Sequence, residues 1–305
     1  MSNPKQPYNK PPLSIEDQLN RFQERGLAIP DRQEAENYLN YIGYYRLSGY
    51  TRVYRNWGCE DQEQYKEGTS FNQVRDLYIF DRLLRNHMMD ALERIEIAIK
   101  AILSNSIATT NNAFWVTDAS FFDYGKHGDI LDKLNSSMGH DTNRNQHDFI
   151  KHYHQKYNDP HPPSWMIMEV LTFGAISQIY KNLKGAYRIP VAKIFTVQHD
   201  VLENWLHILA HLRNVCAHHS RLWNRNFVFR PKIPKKGAKW QDGFTTENQN
   251  KLYTYCCIIK HMLGVISPGS TWGDRLDEIL KDYRDVDKEV MGFPDDWRSR
   301  TIWLT

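Results

Sequence analysis

Residues 71–108 read FNQVRDLYIFDRLLRNHMMDALERIEIAIKAILSNSIA. Val74, Leu77, Phe80, Leu84, Met88, Leu92, Ile95, Ile99, Ile102 and Ile107 recur every three or four positions, and no Gly or Pro interrupts them. That spacing puts an apolar stripe along one face of a single long helix, which must be buried against other elements. The flanking segments repeat the helical period. Ser14 and Asp17 open a short helix that ends near Gly26, and a second runs from about Asp31 through Tyr38, Leu39, Ile42 and Tyr45 into IGYYRLSGY at 42–50. The tyrosines of that segment recur at helix-like intervals and are expected to pack.

C-terminal to the long helix, residues 109–163 read as short helices joined by irregular loops. Prolines at 160, 162 and 163 stop one element, and Ser164 is placed to cap the next. Trp165, Met168, Leu171, Ile176, Ile179 and Leu183 predict a core helix over 165–183 that Gly185 ends. Leu202, Leu206, Leu209, Cys216 and Trp223 predict another over about 200–225, and two more follow at 247–265 and 273–285. Strand-like alternation is nearly missing. The fold class expected is all-α, divided into a disordered lead-in (1–13), an N-terminal helical extension (14–70), a helical bundle (71–225), and a basic segment with C-terminal helices (226–305).

A chain of 305 residues with 41% hydrophobic and 25% charged residues can bury a sizeable core. Its formal charge is only +3, so a nucleic-acid site would have to be a local basic patch. The first residues, MSNPKQPYNKPP, lack the apolar run of a signal peptide, and no stretch approaches the roughly 18 apolar residues of a membrane span. Cysteines 59, 216, 256 and 257 form no C-x-x-C pair and read as reduced thiols of a cytoplasmic protein with no membrane partner.

The 200–225 segment carries the candidate chemistry. On an ideal helix His207, His211, Asn214 and His218 share a stripe about 60° wide, polar groups on a helix otherwise built for the core. Arg213 lies about 140° from His218, so its reach or a local distortion must bring it to the same cleft. Arg221 and Arg225 continue a basic edge one and two turns on, followed by NRNFVFRPKIPKKGAKW at 224–240 with Arg230, Lys232, Lys235 and Lys236. Cleaving RNA without a metal requires a base for the 2′-hydroxyl, an acid for the departing 5′-oxygen, and positive charge at the phosphorus. Histidine titrates near neutrality and arginine binds two phosphate oxygens at once. Arg-x4-His by itself is weak: a chain with 13 His should hold roughly one such pair by chance, and a second, Arg82 with His87, occurs here.

Four segments in order, IGYYRLSGY (42–50), FDRLLRNHMMDALERIEIAIK (80–100), PPSWMIMEVLTFGAISQIYKNLK (162–184) and LRNVCAHHSRLWNR (212–225), resemble the Abi-like abortive-infection proteins of bacteria, a branch of the HEPN superfamily. The resemblance implies a HEPN-type helical bundle and a metal-independent endoribonuclease with no cofactor, giving 2′,3′-cyclic phosphate and 5′-hydroxyl ends. It puts Arg213 and His218 in the catalytic positions, with Asn214 as the polar residue after the arginine. It adds Glu96 on an earlier helix, with Glu93 as the competing choice and Lys100 four residues on as a basic partner that joins Arg221, Arg225, Arg230, Lys232, Lys235 and Lys236 in contacting RNA. It further implies a homodimer with a composite site, and an RNA or protein antitoxin held by the basic 225–239 region. His219 makes a double histidine but turns toward the apolar side by helical angle. Two other readings remain at this point: zinc on His207, His211 and His218, and an RNA-binding module that grips phosphate without cutting it. Asp118, Asp123, Asp295 and Asp296 read as solvated turn residues.

Overall fold

The computed structural model describes residues 7, 9, 11–58, 63–108, 112–138, 147–240 and 248–304. Most of the expected lead-in, and Cys59, lie outside them. Among the described residues the chain is all-α: helices and short 3₁₀ turns carry the fold, and pairing of extended backbone is limited to three isolated bridges. The chain divides into two compact units, residues 1–83 and 84–305.

The first unit contains α1 (Ile15–Glu24), α2 (Arg32–Tyr41), α3 (Tyr44–Thr51) and the opening turns of α4 (Phe71–Ala108). Its helix starts follow the capping logic of the sequence: Ser14 Oγ accepts from the Asp17 N–H at 3.1 Å, and Asp31 Oδ1 from Glu34 N–H at 2.9 Å. Leu19, Phe22, Leu39 and Leu47 form its buried face, and the Tyr50 hydroxyl donates to the buried Asp81 carboxylate at 2.6 Å. The expected run of helix into 42–50 is broken at Gly43, whose φ of +88° suits glycine and starts α3 in a new direction.

The second unit contains the rest of α4, then α5 (Gly128–Met138), α6 (Asp148–Lys156), α7 (Ser164–Val170), α8 (Phe173–Asn182), α9 (Gly185–Ile194), α10 (His199–Ala217), α11 (Leu252–Ile266), α12 (Trp272–Asp282) and α13 (Thr301–Leu304). α10 packs against α8 and α9. α12 is tied to α4 by the Trp272 indole N–H donating to the His87 carbonyl at 3.1 Å and by an Arg275–Asp90 ion pair at 2.8 Å. Cys216, Cys256 and Cys257 are buried free thiols, and burial pushes the Cys257 thiol up to about 12, which keeps it inert.

Five expectations change. The single helix over 165–183 is two, because Leu171 adopts an extended ψ of 142° and the Thr172 hydroxyl caps α8 by accepting from Ala175 N–H at 3.3 Å. Trp165, counted as core, is 47% exposed, and Ser164, expected to cap, instead accepts the Val116 N–H at 3.1 Å. Gly185 begins α9 and does not end α8, which stops at an extended Leu183. On α4, Leu103 takes the fully buried place expected of Ile102.

Candidate functional site

α10 enters the core with Leu202, Trp205, Leu206, Leu209 and Leu212 fully buried, and it stops at Ala217, eight residues before the expected end. Its last turn closes in the double-bonded pattern usual for a helix C-terminus. His219 N–H donates to Cys216 O and Ser220 N–H to Val215 O, both at 3.0 Å, with His218 as C-cap. His219 holds the left-handed position at φ +54°, where glycine is the usual occupant. Arg221 and Arg225 are therefore not a continuing helical edge. The chain reverses, anchored by buried Leu222 and Trp223, whose indole N–H donates to Asp287 O at 3.0 Å.

This termination decides how the motif residues are presented. Arg213 is half-buried, and among the described residues its guanidinium donates to the neighbouring Asn214 Oδ1, at 3.4 Å. No carboxylate among the described residues pairs with it. Asn214 and His218 are exposed, with the His218 backbone N–H held by the Asn214 carbonyl at 3.0 Å. Arg213, Asn214 and His218 thus fall within the last turn and cap of α10, the arginine with no acidic partner among the described residues and the imidazole open to solvent. A phosphodiester can engage the first without displacing a competing anion.

The other sequence-derived residues make contacts of their own. Glu96 and Lys100 pair with each other along α4 at 3.1 Å, their side chains 16% and 12% exposed. The Glu96 carboxylate thus faces Lys100, and within one chain no ion pair joins it to Arg213; Glu93 is exposed.

The basic segment runs back along α10 in the opposite sense. Arg225 lies close enough to His211 to help hold its pKa below the ordinary value, after the larger effect of burial. Further on, Asn204 bonds Arg230 O at 3.2 Å and Lys232 N–H at 2.7 Å, and the Trp205 indole N–H donates to Lys232 O at 2.8 Å. Lys232 pairs with Asp200 at 3.0 Å, so its charge is spent inside the chain. Asp200 precedes Arg213 by thirteen helical residues, about 20 Å at 1.5 Å per residue. Lys232 therefore belongs to the far end of α10, and Lys235 and Lys236 follow it there as exposed cations.

The strap also explains half of the histidine stripe. Phe229 meets His207 edge-on at 4.5 Å between ring centroids and His211 at 5.2 Å. These two imidazoles are covered by an aromatic ring, whereas Asn214 and His218, further along the stripe, are not. No group of three or more His, Cys, Asp or Glu side chains among the described residues is disposed to hold a metal ion. Phe229 escaped the sequence reading, although the alternation Phe227-Val228-Phe229, with Phe227 buried and Val228 exposed, marks extended backbone lying on a surface. Lys239 closes the strap by donating to His261 Nδ1 at 3.0 Å, while His261 Nε2–H donates to the Phe195 carbonyl at 2.8 Å.

Comparison with protein families gives a match to the Abi-like protein family over residues 37–224. Comparison with curated proteins and with solved structures gives no match.

Proposed function

The chain belongs to the Abi-like family, which ties it to abortive-infection defence, and from that premise we propose that it acts there as a metal-independent endoribonuclease of the HEPN type through Arg213, Asn214 and His218. The observation that carries this reading is the end of α10, where a helix with a buried apolar face closes on an arginine with no acidic partner among the described residues and, five residues on, an exposed histidine. Arg213 would hold the scissile phosphate and stabilise the pentacoordinate phosphorane, while Asn214 orients the phosphate or the guanidinium. His218 takes the 2′-hydroxyl proton as that oxygen bonds to phosphorus. The P–O5′ bond breaks, and a second acid returns a proton to O5′. One His218 per chain supplies one of these two groups, so a homodimer in which facing motifs share a cleft completes the site. Single-stranded loops are the expected targets, because a free 2′-hydroxyl and unstacked bases are accessible there.

The exposed cations of the strap, Arg230, Lys235 and Lys236, stand at the other end of α10, well placed for an antitoxin to contact without entering the catalytic turn. A host-lethal ribonuclease needs such restraint.

The test is the chemistry of the ends. Purified protein incubated with total RNA in excess EDTA is expected to leave 2′,3′-cyclic phosphate and 5′-hydroxyl termini. Cutting that EDTA abolishes, or products bearing 3′-hydroxyl ends, would sink the proposal, and tight RNA binding with no cutting would favour a binding module.

A further inference from the structure

Within residues 1–83 lies a cavity of about 520 Å³, formed by the Pro11–Leu13 segment, α1, α3 and the chain after α3. Its wall carries three arginines, Arg21, Arg25 and Arg55, against one acid, Glu63. Arg25 is committed: its Nη2 pairs with Glu63 and its Nη1 donates to the Tyr44 hydroxyl at 3.4 Å. Arg21 and Arg55 meet no carboxylate among the described residues, and the Arg55 Nε is buried without a hydrogen-bond partner. Two guanidinium groups with no acidic partner among the described residues, set in a concave site, focus positive potential on whatever enters, and their planar forks match phosphate oxygens.

The aromatic wall is split in function. Tyr44 lies flat on Phe22, with ring centroids 4.8 Å apart, and belongs to the core of the unit. Tyr45, also lining the cavity, is 92% exposed, on a helix whose inward positions are filled by Leu47, Tyr50 and Thr51. No packing accounts for a tyrosine ring so placed. An exposed aromatic face beside arginines lining the same cavity is the combination that binds a nucleobase and its phosphate together. An acidic peptide would use the arginines and leave the ring idle.

We infer that this cavity binds a nucleotide unit, with the phosphate on Arg21 and Arg55 and the base stacked on Tyr45. The unit comes either from a free nucleotide or from a single RNA strand, and the chemistry of recognition is the same. The site goes beyond the proposed ribonuclease reading and does not depend on it.

Binding can be measured on the full chain carrying His218→Ala, so that no RNA is consumed. The probes are adenosine 5′-monophosphate by calorimetry and a 5′-fluorescein-labelled twelve-residue single-stranded RNA by anisotropy, with inorganic phosphate as control. Arg21→Ala with Arg55→Ala is expected to weaken binding at least tenfold, and Tyr45→Ala roughly five- to hundredfold. Loss of monophosphate binding identifies a free-nucleotide site; loss confined to the RNA identifies a strand-binding one. Unchanged affinity for both probes in these variants overturns the inference. So does binding of inorganic phosphate as tight as that of the monophosphate with Tyr45→Ala silent, which would mark a bare anion site. Should Arg55→Ala lower the melting temperature, Arg21→Glu and Tyr45→Ala alter only side chains outside the core and decide the matter alone.

Discussion

Arg-x4-His occurs twice in this chain, and the two histidines meet opposite fates. His87 sits inside α4, 7% exposed, its ring stacked on Trp272 at 4.8 Å with planes 10° apart. Burial, with Arg275 nearby, pushes its pKa down to about 4, so it is neutral through the physiological range. His218 follows the same spacing from its arginine but falls where α10 ends, and solvent reaches it. The difference lies in the helix terminus. In mid-helix the fifth residue on is committed to whatever packs against that face. At a C-cap no further turn of the same helix follows to pack beside it, so the side chain stays open to solvent even though its own N–H still bonds the Asn214 carbonyl as in the helix.

The largest effect that this contrast predicts is catalytic. Arg213→Ala should lower the rate of RNA cleavage by roughly 10²–10³-fold while leaving the melting temperature nearly unchanged, since among the described residues the half-buried guanidinium bonds its neighbour Asn214 alone. Arg82→Ala, at the exposed arginine of the other pair, should stay near the wild-type rate. Equal losses from both would erase the distinction.

Next comes acid stability. His87 and His261 are buried and each is held at a pKa of about 4, His261 chiefly by burial. Protonating His261 Nδ1 would set a second positive charge against Lys239. Between pH 6.5 and 4 the unfolded chain binds protons that the folded chain refuses, so stability is full above about 6.5 and falls with pH, by up to about 3 kcal/mol per histidine. Urea titrations at pH 7 and pH 4.5 check this. His87→Gln should shrink the difference, and a stability independent of pH over that window would contradict the buried, neutral histidines.

The smallest effect concerns His219. Replacing a non-glycine residue at φ +54° by glycine relieves about 1 kcal/mol or more of backbone strain, so His219→Gly should raise the melting temperature and retain cleavage. A stabilised but inactive variant would move the catalytic role from His218 to His219.

How much of this was legible in the sequence follows from what each feature requires. The bounds of α4 were readable because its burial follows its apolar period over nearly all of its 38 residues, with Leu103 in place of Ile102 as the one slip. The starts of α1 and α2 were announced by Ser14 and Asp31, whose side chains make the capping bonds themselves. The end of α10 was not legible. Its left-handed residue is a histidine, so the glycine that usually marks such an end is missing, and Leu222 and Trp223 carry an apolar pattern past the break for tertiary reasons. The gap between α7 and α8 was hidden likewise, since Leu171 is buried on either reading. For the site, the residue types Arg213, Asn214 and His218 were readable. Their presentation was not, because it depends on where the helix stops and on Phe229 coming back to cover His207 and His211.

His218, exposed at a helix end, is chemically available where the buried His87 is not. Cleavage of a labelled single-stranded RNA in EDTA, with rates normalised to folded protein, compares His218→Ala and His87→Gln directly. His218→Ala should lose at least about 100-fold, the scale of a missing general acid–base group, and His87→Gln should cut at a rate near wild type. A His218→Ala variant that cuts as fast as wild type, or equal losses in both, would contradict it.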